Sequence, residues 1–304
     1  GTIPLAMSTQ PLPPVTRVGI LAKSQLHAAT PHLIELDRWL DARGVVTVYE
    51  TGTAALMPER NGRETRARAE LATGVDMILV LGGDGTLLGM ADRIGDAGSR
   101  IPILGVNFGH LGFLTEVTLP ELYNSLDAAL RGLAHVEERM MLRATIVRQG
   151  RVVAQAVAAN DAVITKTARS RMIDLSVYVG DEFVTRVRAD GLIIATPTGS
   201  TAYNLSAGGP IVQPSVDAML ITPIAPHTLA NRPLVIPGAS TVRVEPNIEE
   251  RDEVVLTLDG QASHPVAAGD EVRVRQADAP LRLLRPTSRS YFEVLRTKLK
   301  WGER

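Results

Sequence analysis

Two stretches of the sequence combine residue types that could hold a phosphorylated small molecule. The first is LGGDGT at residues 81–86, which follows an apolar run and precedes a segment with helical spacing. Glycines at a strand-to-helix turn let the backbone approach a phosphate, and the N–H groups that open the helix point toward it. Asp84 adds a carboxylate at the carboxyl end of the strand, where open α/β sheets bind ligands. The simpler alternative is a tight turn in which Asp84 or Thr86 is the helix N-cap.

The second stretch is DGLIIATPTGSTAYNLSAGGP at residues 190–210. An apolar strand runs here into a loop of Thr, Ser and Gly residues, which offers many hydrogen-bond donors and little bulk to a polar ligand. We favour a ligand-binding loop, and a generic Ser/Thr/Gly connection between two strands is the alternative.

The first half of the chain alternates short apolar runs with segments of helical spacing. The predicted strands lie at residues 18–22, 45–49, 77–81 and 103–106, and the predicted helices at 31–43, 64–71 and 87–94. Strands that are separated by helices pair in parallel, so this half is expected to form a Rossmann-like α/β sheet.

The second half changes in kind from about residue 136, where short strands with alternating polarity are separated by Gly, Asp and Pro. This pattern predicts a β-rich, β-sandwich-like domain, and the amphipathic segment at 291–301 predicts a terminal helix that packs back on the first domain. The predicted boundaries are a disordered lead-in at 1–14, an α/β domain at 15–135, a β-rich domain at 136–280 and a returning tail at 281–304.

Composition excludes several classes of function for this chain of 304 residues. A formal net charge of −1 leaves no basic excess of the kind that nucleic-acid binding requires. The absence of cysteine removes disulfides, thiol catalysis and Cys-ligated metals, and it suits a reducing compartment. No apolar run is long enough for a membrane span, and the start lacks a signal-peptide pattern, so a cytoplasmic protein without membrane or nucleic-acid partners is expected.

The motifs together resemble those of the bacterial NAD kinases. The resemblance rests on GGDGT at 82–86, NFGHLGFLT at 107–115, Asn160-Asp161, the stretch at 190–210 and PHTLANRP at 226–233. GGDGT alone also occurs in lipid kinases, whereas the stretch at 190–210 is much more specific. The resemblance implies transfer of the ATP γ-phosphate, with polyphosphate as a possible second donor, to the 2′-hydroxyl of the adenosine ribose of NAD. It also implies a divalent cation, Mg²⁺ or Mn²⁺, whose ligands remain unknown, and a homotetramer or homodimer.

Carried over position by position, the resemblance implies that Asp84 is the catalytic acidic residue. The residues implied to bind the nucleotides are Asp84, Gly85, Asn160, Asp161, Arg171, Arg188, Asp190, Thr198, Thr201, Ala202, Tyr203, Asn204, Leu205, Ser206, Ala225 and Gln261. Asp161 departs from the family's Asn-Glu pair because its carboxylate is one methylene shorter, and Arg171 occupies a position where the family's residue type varies. A carboxylate is a weak base toward a sugar hydroxyl, so Asp84 either orients the hydroxyl and accepts its proton late or holds the metal. Our hypothesis is the first of these roles.

Other candidates keep two interpretations. His110 lies in a Gly-rich loop, where it contacts phosphate or is structural, and His227 suits packing or an interface better than catalysis. The Arg-rich stretch at 60–68 either contacts ATP phosphates or forms a solvated helix face. The spacing of the remaining histidines does not suggest a zinc site. The alternative functions are a diacylglycerol-type or sphingoid-type lipid kinase, which shares GGDGT, and a non-catalytic dinucleotide sensor on the same fold.

Overall fold

The computed structural model describes residues 13–109, 111–167, 172–228, 230–248, 253–285 and 289–301. The chain divides into two compact units. Unit 1 contains Gly1–Glu138 together with Leu281–Arg304, and unit 2 contains Arg139–Pro280. The C-terminal tail thus packs with the N-terminal part of the chain, as the sequence predicts. Among the described residues no helix combines the length and the apolar character that a membrane crossing needs.

The elements are numbered in chain order. The strands are β1 (Arg17–Ala22), β2 (Val46–Glu50), β3 (Glu64–Arg66), β4 (Met77–Gly82), β5 (Ile103–Asn107), β6 (Val117–Thr118), β7 (His135–Arg139), β8 (Leu142–Arg148), β9 (Arg151–Ala158), β10 (Asp161–Lys166), β11 (Ile173–Val179), β12 (Glu182–Ala189), β13 (Gly191–Ala195), β14 (Ala218–Ile224), β15 (Leu234–Pro237), β16 (Val242–Asn247), β17 (Val254–Leu258), β18 (Ala262–Val266), β19 (Asp270–Gln276) and β20 (Leu281–Arg285). The α-helices are α1 (Thr30–Asp41), α2 (Thr51–Ala54), α3 (Asp84–Asp96), α4 (Leu122–Leu130), α5 (Tyr203–Ser206) and α6 (Tyr291–Leu299). Short 3₁₀ turns lie at His27–Ala29, Arg68–Glu70, Leu119–Glu121 and Thr198–Thr201.

Unit 1 is built on a sheet with the strand order β3-β2-β1-β4-β5-β20-β7, in which β6 also pairs with β5. The strands from β3 through β20 run parallel. The order in which successive strands are added to the sheet reverses between β1 and β4, and ligands of such folds bind at the carboxyl ends of the strands that flank this point. GGDGT directly follows β4, so the topology alone places Asp84 at the expected ligand-binding edge.

The predicted helix at 64–71 is wrong. Glu64–Arg66 forms the edge strand β3, and a 3₁₀ turn follows it. Backbone pairing with β2 and the ion pairs of Glu64 with Arg17 (2.7 Å) and Arg66 (2.9 Å) hold this segment in the sheet. Helix propensity is a weak preference that tertiary pairing overrides. The helix at 31–43 is confirmed as α1, which buries Leu33, Leu36 and Leu40 on one face.

Unit 2 contains two antiparallel six-stranded sheets, in the orders β15-β14-β13-β10-β17-β18 and β12-β11-β16-β19-β8-β9. Their inner faces share one apolar core, which includes Ile164 and Ile194 from the first sheet and Val177 and Val272 from the second. This arrangement confirms the predicted β-sandwich-like architecture. Strands β10 and β13 lie in the middle of the first sheet, and every residue of β13 is buried.

The outer face of this first sheet is also covered. Val163, Ile193 and Leu220 form a second apolar cluster, and Ala207 and Val212 pack against it. The Ser/Thr-rich stretch that follows β13, residues 196–210, therefore lies over the sheet, where Ala207 and the nearby Val212 hold it. This packing explains why β13 reads as a continuous apolar run instead of an alternating one.

Candidate active site

The GGDGT turn presents Asp84 at the end of a fully buried strand. Strand β4 ends at Gly82, Gly83 is the N-cap of α3, and Asp84 is the first residue of the helix. Because Gly83 occupies the N-cap position, the alternative in which Asp84 or Thr86 is the N-cap is wrong. The Asp84 side chain is half-buried and Gly85 is exposed.

The carboxylate of Asp84 binds the loop that follows β5. Its Oδ1 accepts hydrogen bonds from the backbone N–H of Leu114 (3.1 Å), the N–H of Thr115 (2.9 Å) and the Thr115 hydroxyl (2.8 Å). Its Oδ2 accepts one from the N–H of Phe113 (2.8 Å). A carboxylate offers about four lone-pair positions, two on each oxygen. Oδ1 is thus saturated by described partners, whereas Oδ2 has room for another donor.

Gly112 makes this contact possible because it leaves space for the carboxylate. A Cβ at position 112 would overlap Asp84 Oδ1 and Thr115 Oγ1. Asn107, at the end of β5, braces the same loop, since its amide donates to the Thr115 hydroxyl (3.0 Å) and its carbonyl accepts from the N–H of Gly109 (2.6 Å). The motif at 107–115 was part of the resemblance, yet the sequence did not reveal that its amides bind Asp84.

In unit 2, Asp259 organises the turn that contains Asn160 and Asp161. Its carboxylate accepts hydrogen bonds from the N–H groups of Ala159 (2.7 Å), Asn160 (2.7 Å) and Asp161 (3.0 Å). Its own N–H donates to the carbonyl of Asp161 (3.0 Å). Sequence reasoning missed Asp259 as a site residue. The signal that could have found it is the Asp-Gly turn that follows an apolar strand and precedes the predicted residue Gln261. Gln261 is exposed.

Asp161 is buried close to a second carboxylate. Burial and the negative charge of Asp259 raise the pKa of Asp161 to about 7. Both effects disfavour the ionised form, since a buried charge loses its hydration and a like charge repels it. Asp161 therefore changes its charge near neutral pH, which no sequence pattern indicated.

The Ser/Thr-rich stretch packs directly on this turn. Thr196 donates its N–H to the carbonyl of Asn160 (2.8 Å) and its hydroxyl to the carbonyl of Ala159 (2.6 Å). A Cβ at Gly199 would overlap the backbone of Asn160, so the two segments lie as close as their backbones allow. Thr198 is buried and its hydroxyl accepts from Arg139 Nη1 (3.2 Å), a buried cation that sequence reasoning also missed.

The side chains of the Ser/Thr-rich stretch differ in how much of their surface is exposed to solvent. Thr201, Ala202 and Leu205 are half-buried, Ser206 is exposed, and 44% of Tyr203 is exposed. Asn204 is different, because its buried amide donates to the carbonyls of Ser200 (3.0 Å) and Pro210 (3.0 Å) and accepts from Thr222 (2.6 Å). Its hydrogen-bonding atoms thus hold the stretch together instead of facing a ligand.

A second group of predicted residues lies at the opposite end of β13. Asp190 precedes this strand, and its N–H donates to the carbonyl of Ile224 (3.0 Å). The carbonyl of Arg188 accepts from the N–H of His227 (2.8 Å), which brings exposed Arg188 beside exposed Ala225. Asn160 and Asp161 lie at the other end, since Asp161 pairs with Ala195. At roughly 3.3 Å a residue, the strand separates the two groups by about 20 Å.

Several candidates are not brought into either group. His110 and Arg171 lie outside the residues that the structure describes. In the Arg-rich stretch, Arg60 pairs with Asp37 (2.6 Å) and Arg66 with Glu64 (2.9 Å), so these cations are used within unit 1. Among the described side chains, no cluster of three or more His, Cys, Asp or Glu could hold a metal ion.

Comparisons with known proteins cover nearly the whole chain. Residues 18–134 match the family model of the ATP-NAD kinase N-terminal domain, and residues 159–285 match that of the ATP-NAD kinase C-terminal domain. The chain is 46% identical over 288 residues to an NAD kinase of Syntrophotalea carbinolica, covering 95% of this chain and 99% of that protein. It is 50% identical over 270 residues to an NAD kinase of Geobacter sulfurreducens, covering 89% and 93%.

Two solved structures share the fold. Yeast NADH kinase, crystallised with NADH, has a TM-score of 0.86 at 26% identity and covers 96% of this chain and 89% of its own. An NAD kinase from Archaeoglobus fulgidus, in complex with ATP, has a TM-score of 0.73 at 25% identity and covers 92% and 99%. None of these relatives supports the lipid-kinase alternative.

Proposed function

The chain belongs to the ATP-NAD kinase family and phosphorylates NAD to NADP with ATP, and from this premise we propose that Asp84 orients the accepting hydroxyl through Oδ2. NADP differs from NAD by a phosphate on the 2′-hydroxyl of the adenosine ribose, so that hydroxyl is the nucleophile. Phosphoryl transfer depends on in-line positioning more than on covalent help. The observation that carries the proposal is the asymmetry of the Asp84 carboxylate: among the described residues, Leu114 and Thr115 saturate Oδ1, while Oδ2 accepts a single N–H, that of Phe113.

The dinucleotide is proposed to bind unit 2 at the turn that contains Asn160 and Asp161, at Gln261 and at the stretch from Thr198 to Ser206. Asp259 holds the backbone of the Asn160–Asp161 turn by three N–H hydrogen bonds, so the turn is organised before a ligand arrives. Preorganised polar groups lose little entropy on binding. Asn204 contributes by bracing the stretch, whereas Thr201 and Tyr203 are accessible to a ligand.

The same ligand cannot reach both groups of unit 2 by running along β13, because every residue of that strand is buried. Arg188, Asp190 and Ala225 are therefore proposed to complete the dinucleotide site of a neighbouring copy of the chain. This arrangement requires a homo-oligomer, a tetramer or a dimer. Exposed apolar side chains of unit 2, including Phe183 (55% exposed) and Val235 (53% exposed), favour contacts between copies.

Co-expression of two inactive variants tests this arrangement. Asn160→Ala and Asp190→Ala damage the two ends separately, so each homo-oligomer is expected to be strongly impaired. In doubly tagged oligomers, about half of the sites of a dimer and somewhat more than a quarter of those of a tetramer combine two intact halves, and activity should rise to that level. The measurement is the NADP formation rate of doubly tagged, co-purified oligomers. A mixture no more active than the separate variants, or a monomer by light scattering, would contradict the proposal.

Asp161 predicts a pH dependence of NAD binding. With a pKa of about 7, its ionised fraction rises from roughly a tenth at pH 6 to nine tenths at pH 8. The ionised carboxylate accepts a hydrogen bond from a sugar hydroxyl better than the protonated acid does, because one oxygen of the acid carries a proton. The KM for NAD is therefore expected to be about tenfold lower at pH 8 than at pH 6. Asp161→Asn should remove this dependence, and an unchanged pH profile in that variant would overturn the assignment.

Asp161 also makes the stability of the folded protein depend on pH. Raising the pH is expected to favour NAD binding but to lower the contribution of Asp161 to the free energy of unfolding. An unfolded Asp ionises near pH 3.9, so between about pH 4 and 7 the native state holds a proton that the unfolded state has released. The contribution of Asp161 to the free energy of unfolding therefore falls as the pH rises through this window. Asp161→Asn should flatten that part of the stability curve in denaturant titrations.

A divalent cation, Mg²⁺ or Mn²⁺, is proposed to arrive with ATP. Magnesium sites of this kind are held largely by substrate phosphates and water, so the ATP phosphates would hold the cation and leave Asp84 Oδ2 to the ribose hydroxyl. The cation would neutralise phosphate charge. Initial rates with NAD and NADH crossed against ATP and polyphosphate, in the presence of each metal, define both substrates.

We also propose that the enzyme acts in the cytoplasm in NADP biosynthesis. The absence of cysteine from the chain agrees with a reducing compartment.

A further inference from the structure

The loop that binds Asp84 forms neither helix nor strand in its described part, residues 108–109 and 111–116. Between β5 and β6 the described backbone bonds within the loop include that from the N–H of Gly112 to the carbonyl of Thr115 (3.2 Å). Three successive amides must nevertheless converge on one carboxylate. Ordering such a segment costs conformational entropy, so contacts from outside the loop must hold it.

The C-terminal tail supplies those contacts. Arg289 Nη1 donates to the backbone carbonyl of Glu116 (2.7 Å), directly after the three amides. The same guanidinium binds the Glu121 carboxylate through Nη1 (3.2 Å) and Nη2 (3.0 Å). Glu121 in turn accepts from the N–H (2.9 Å) and hydroxyl (2.7 Å) of Thr118. Arg289 thus binds this segment at Glu116 and Glu121, and Glu121 in turn holds Thr118.

Two further tail residues act on the same loop. Arg285, at the end of β20, forms a hydrogen-bonded ion pair with the buried carboxylate of Glu116 and another with Glu137 (2.6 Å). Lys298, on α6, places its Nζ 5.6 Å from the ring centroid of Phe113, whose N–H donates to Asp84 Oδ2. Cations at this distance from an aromatic ring are attracted to its face. The tail therefore holds the loop at Phe113 and at Glu116, on either side of the other two amides.

The tail is itself firmly anchored in unit 1. Strand β20 lies inside the sheet between β5 and β7, and Leu284 is part of the apolar core. Helix α6 is capped by Ser290, whose hydroxyl accepts from the N–H of Glu293 (3.3 Å), and it buries Val294 and Leu295. A rigid support can transmit position to the loop, which a frayed terminus could not.

We propose that the C-terminal tail is a positioning element of the kinase, in which Arg289 and Lys298 hold the 113–116 loop so that its amides orient the Asp84 carboxylate. The inference rests on the proposed role of Asp84. Arg289 and Lys298 are positioning residues, since they touch the loop and not the carboxylate. Arg285 has the same role but neutralises a buried carboxylate, so its replacement endangers folding.

The test compares Arg289→Met and Lys298→Met with Arg282→Met in the full-length enzyme. Arg282 is a tail arginine of similar burial that contacts the Arg100 carbonyl (3.0 Å) and Glu138 (3.6 Å), away from the loop. Arg289→Met is expected to lower kcat about 10- to 100-fold with little change in the KM for NAD, because misplacing a reacting group costs rate more than binding. Lys298→Met should have a smaller effect in the same direction, and Arg289→Lys should partly restore kcat.

Hydrogen exchange of the amides of Phe113, Leu114 and Thr115 gives a readout that does not depend on activity. Arg289→Met should accelerate their exchange, and Arg282→Met should not. Unchanged exchange and unchanged kcat in a folded Arg289→Met protein would overturn the role of the tail. If exchange accelerates while Asp84→Asn retains full turnover, the tail holds the loop but the proposed function of Asp84 is wrong.

Discussion

Replacing Asp84 with Asn is expected to lower kcat roughly a thousandfold while the protein stays folded. The amide nitrogen of Asn cannot accept a proton or a hydrogen bond, so the position of Oδ2 loses its function toward the ribose hydroxyl. The same nitrogen would face the N–H of Phe113, which is 2.8 Å from Oδ2 in the native protein. The measurement is NADP formation at saturating NAD and ATP in a coupled dehydrogenase assay.

Asp76→Asn is the matched control. Asp76 Oδ2 also accepts backbone N–H groups, those of Thr16 (2.7 Å) and Arg17 (2.8 Å), but it precedes β4 and thus lies at the amino end of the sheet. Its replacement should lower the thermal midpoint and leave kcat nearly unchanged. Near-normal turnover of Asp84→Asn with only a weaker dependence on Mg²⁺ would show that Asp84 holds the metal instead of orienting the hydroxyl.

Gly112→Ala is expected to lower kcat about a hundredfold without adding or removing any polar group. The new methyl would overlap Asp84 Oδ1 and Thr115 Oγ1, so the carboxylate and the loop must separate. Overpacking of this kind also costs about 1–3 kcal/mol of stability. Steady-state kinetics and thermal unfolding of the same preparation measure the two effects.

Gly52→Ala controls for the loss of backbone flexibility that any such substitution causes. Gly52 lies in α2 and is exposed, and the atom nearest to a Cβ there would be the end of the Glu50 side chain, 3.2 Å away. This variant should retain wild-type kcat. A Gly112→Ala enzyme with the same kcat as Gly52→Ala would mean that the close approach of the loop to Asp84 is unimportant for the reaction.

These two predictions differ in how far the sequence anticipates them. Asp84 stands out because glycines surround a carboxylate between an apolar strand and a helix, which is a local pattern with a local physical reason. Gly112 does not stand out, since its requirement comes from space that a side chain 28 positions earlier occupies. No rule of spacing connects the two residues.

The same distinction, between local patterns and contacts made through space, applies to the prediction of the fold. Apolar periodicity predicts the strands and helices of unit 1 and the short strands of unit 2, because burial of one face leaves its period in the sequence. It fails at Glu64–Arg66, where pairing with β2 and ion pairs decide the conformation of a charged segment. Local propensity carries no information about a partner strand.

The amino-acid sequence was sufficient for the α/β and β-sandwich-like architecture, the family and the turn that carries Asp84, because each depends on residues that are neighbours along the chain. Only the tertiary structure decided that the amides of Leu114 and Thr115 and the Thr115 hydroxyl saturate Oδ1 of Asp84. It also decided that burial and the charge of Asp259 raise the pKa of Asp161 to about 7, and that Arg289 binds the carbonyl of Glu116. Those properties arise from groups that are 30 to 173 positions apart, as for Leu114 with Asp84 and Arg289 with Glu116. Hydrogen bonds, burial and Coulomb interactions act through space, so they exist only after the chain has folded.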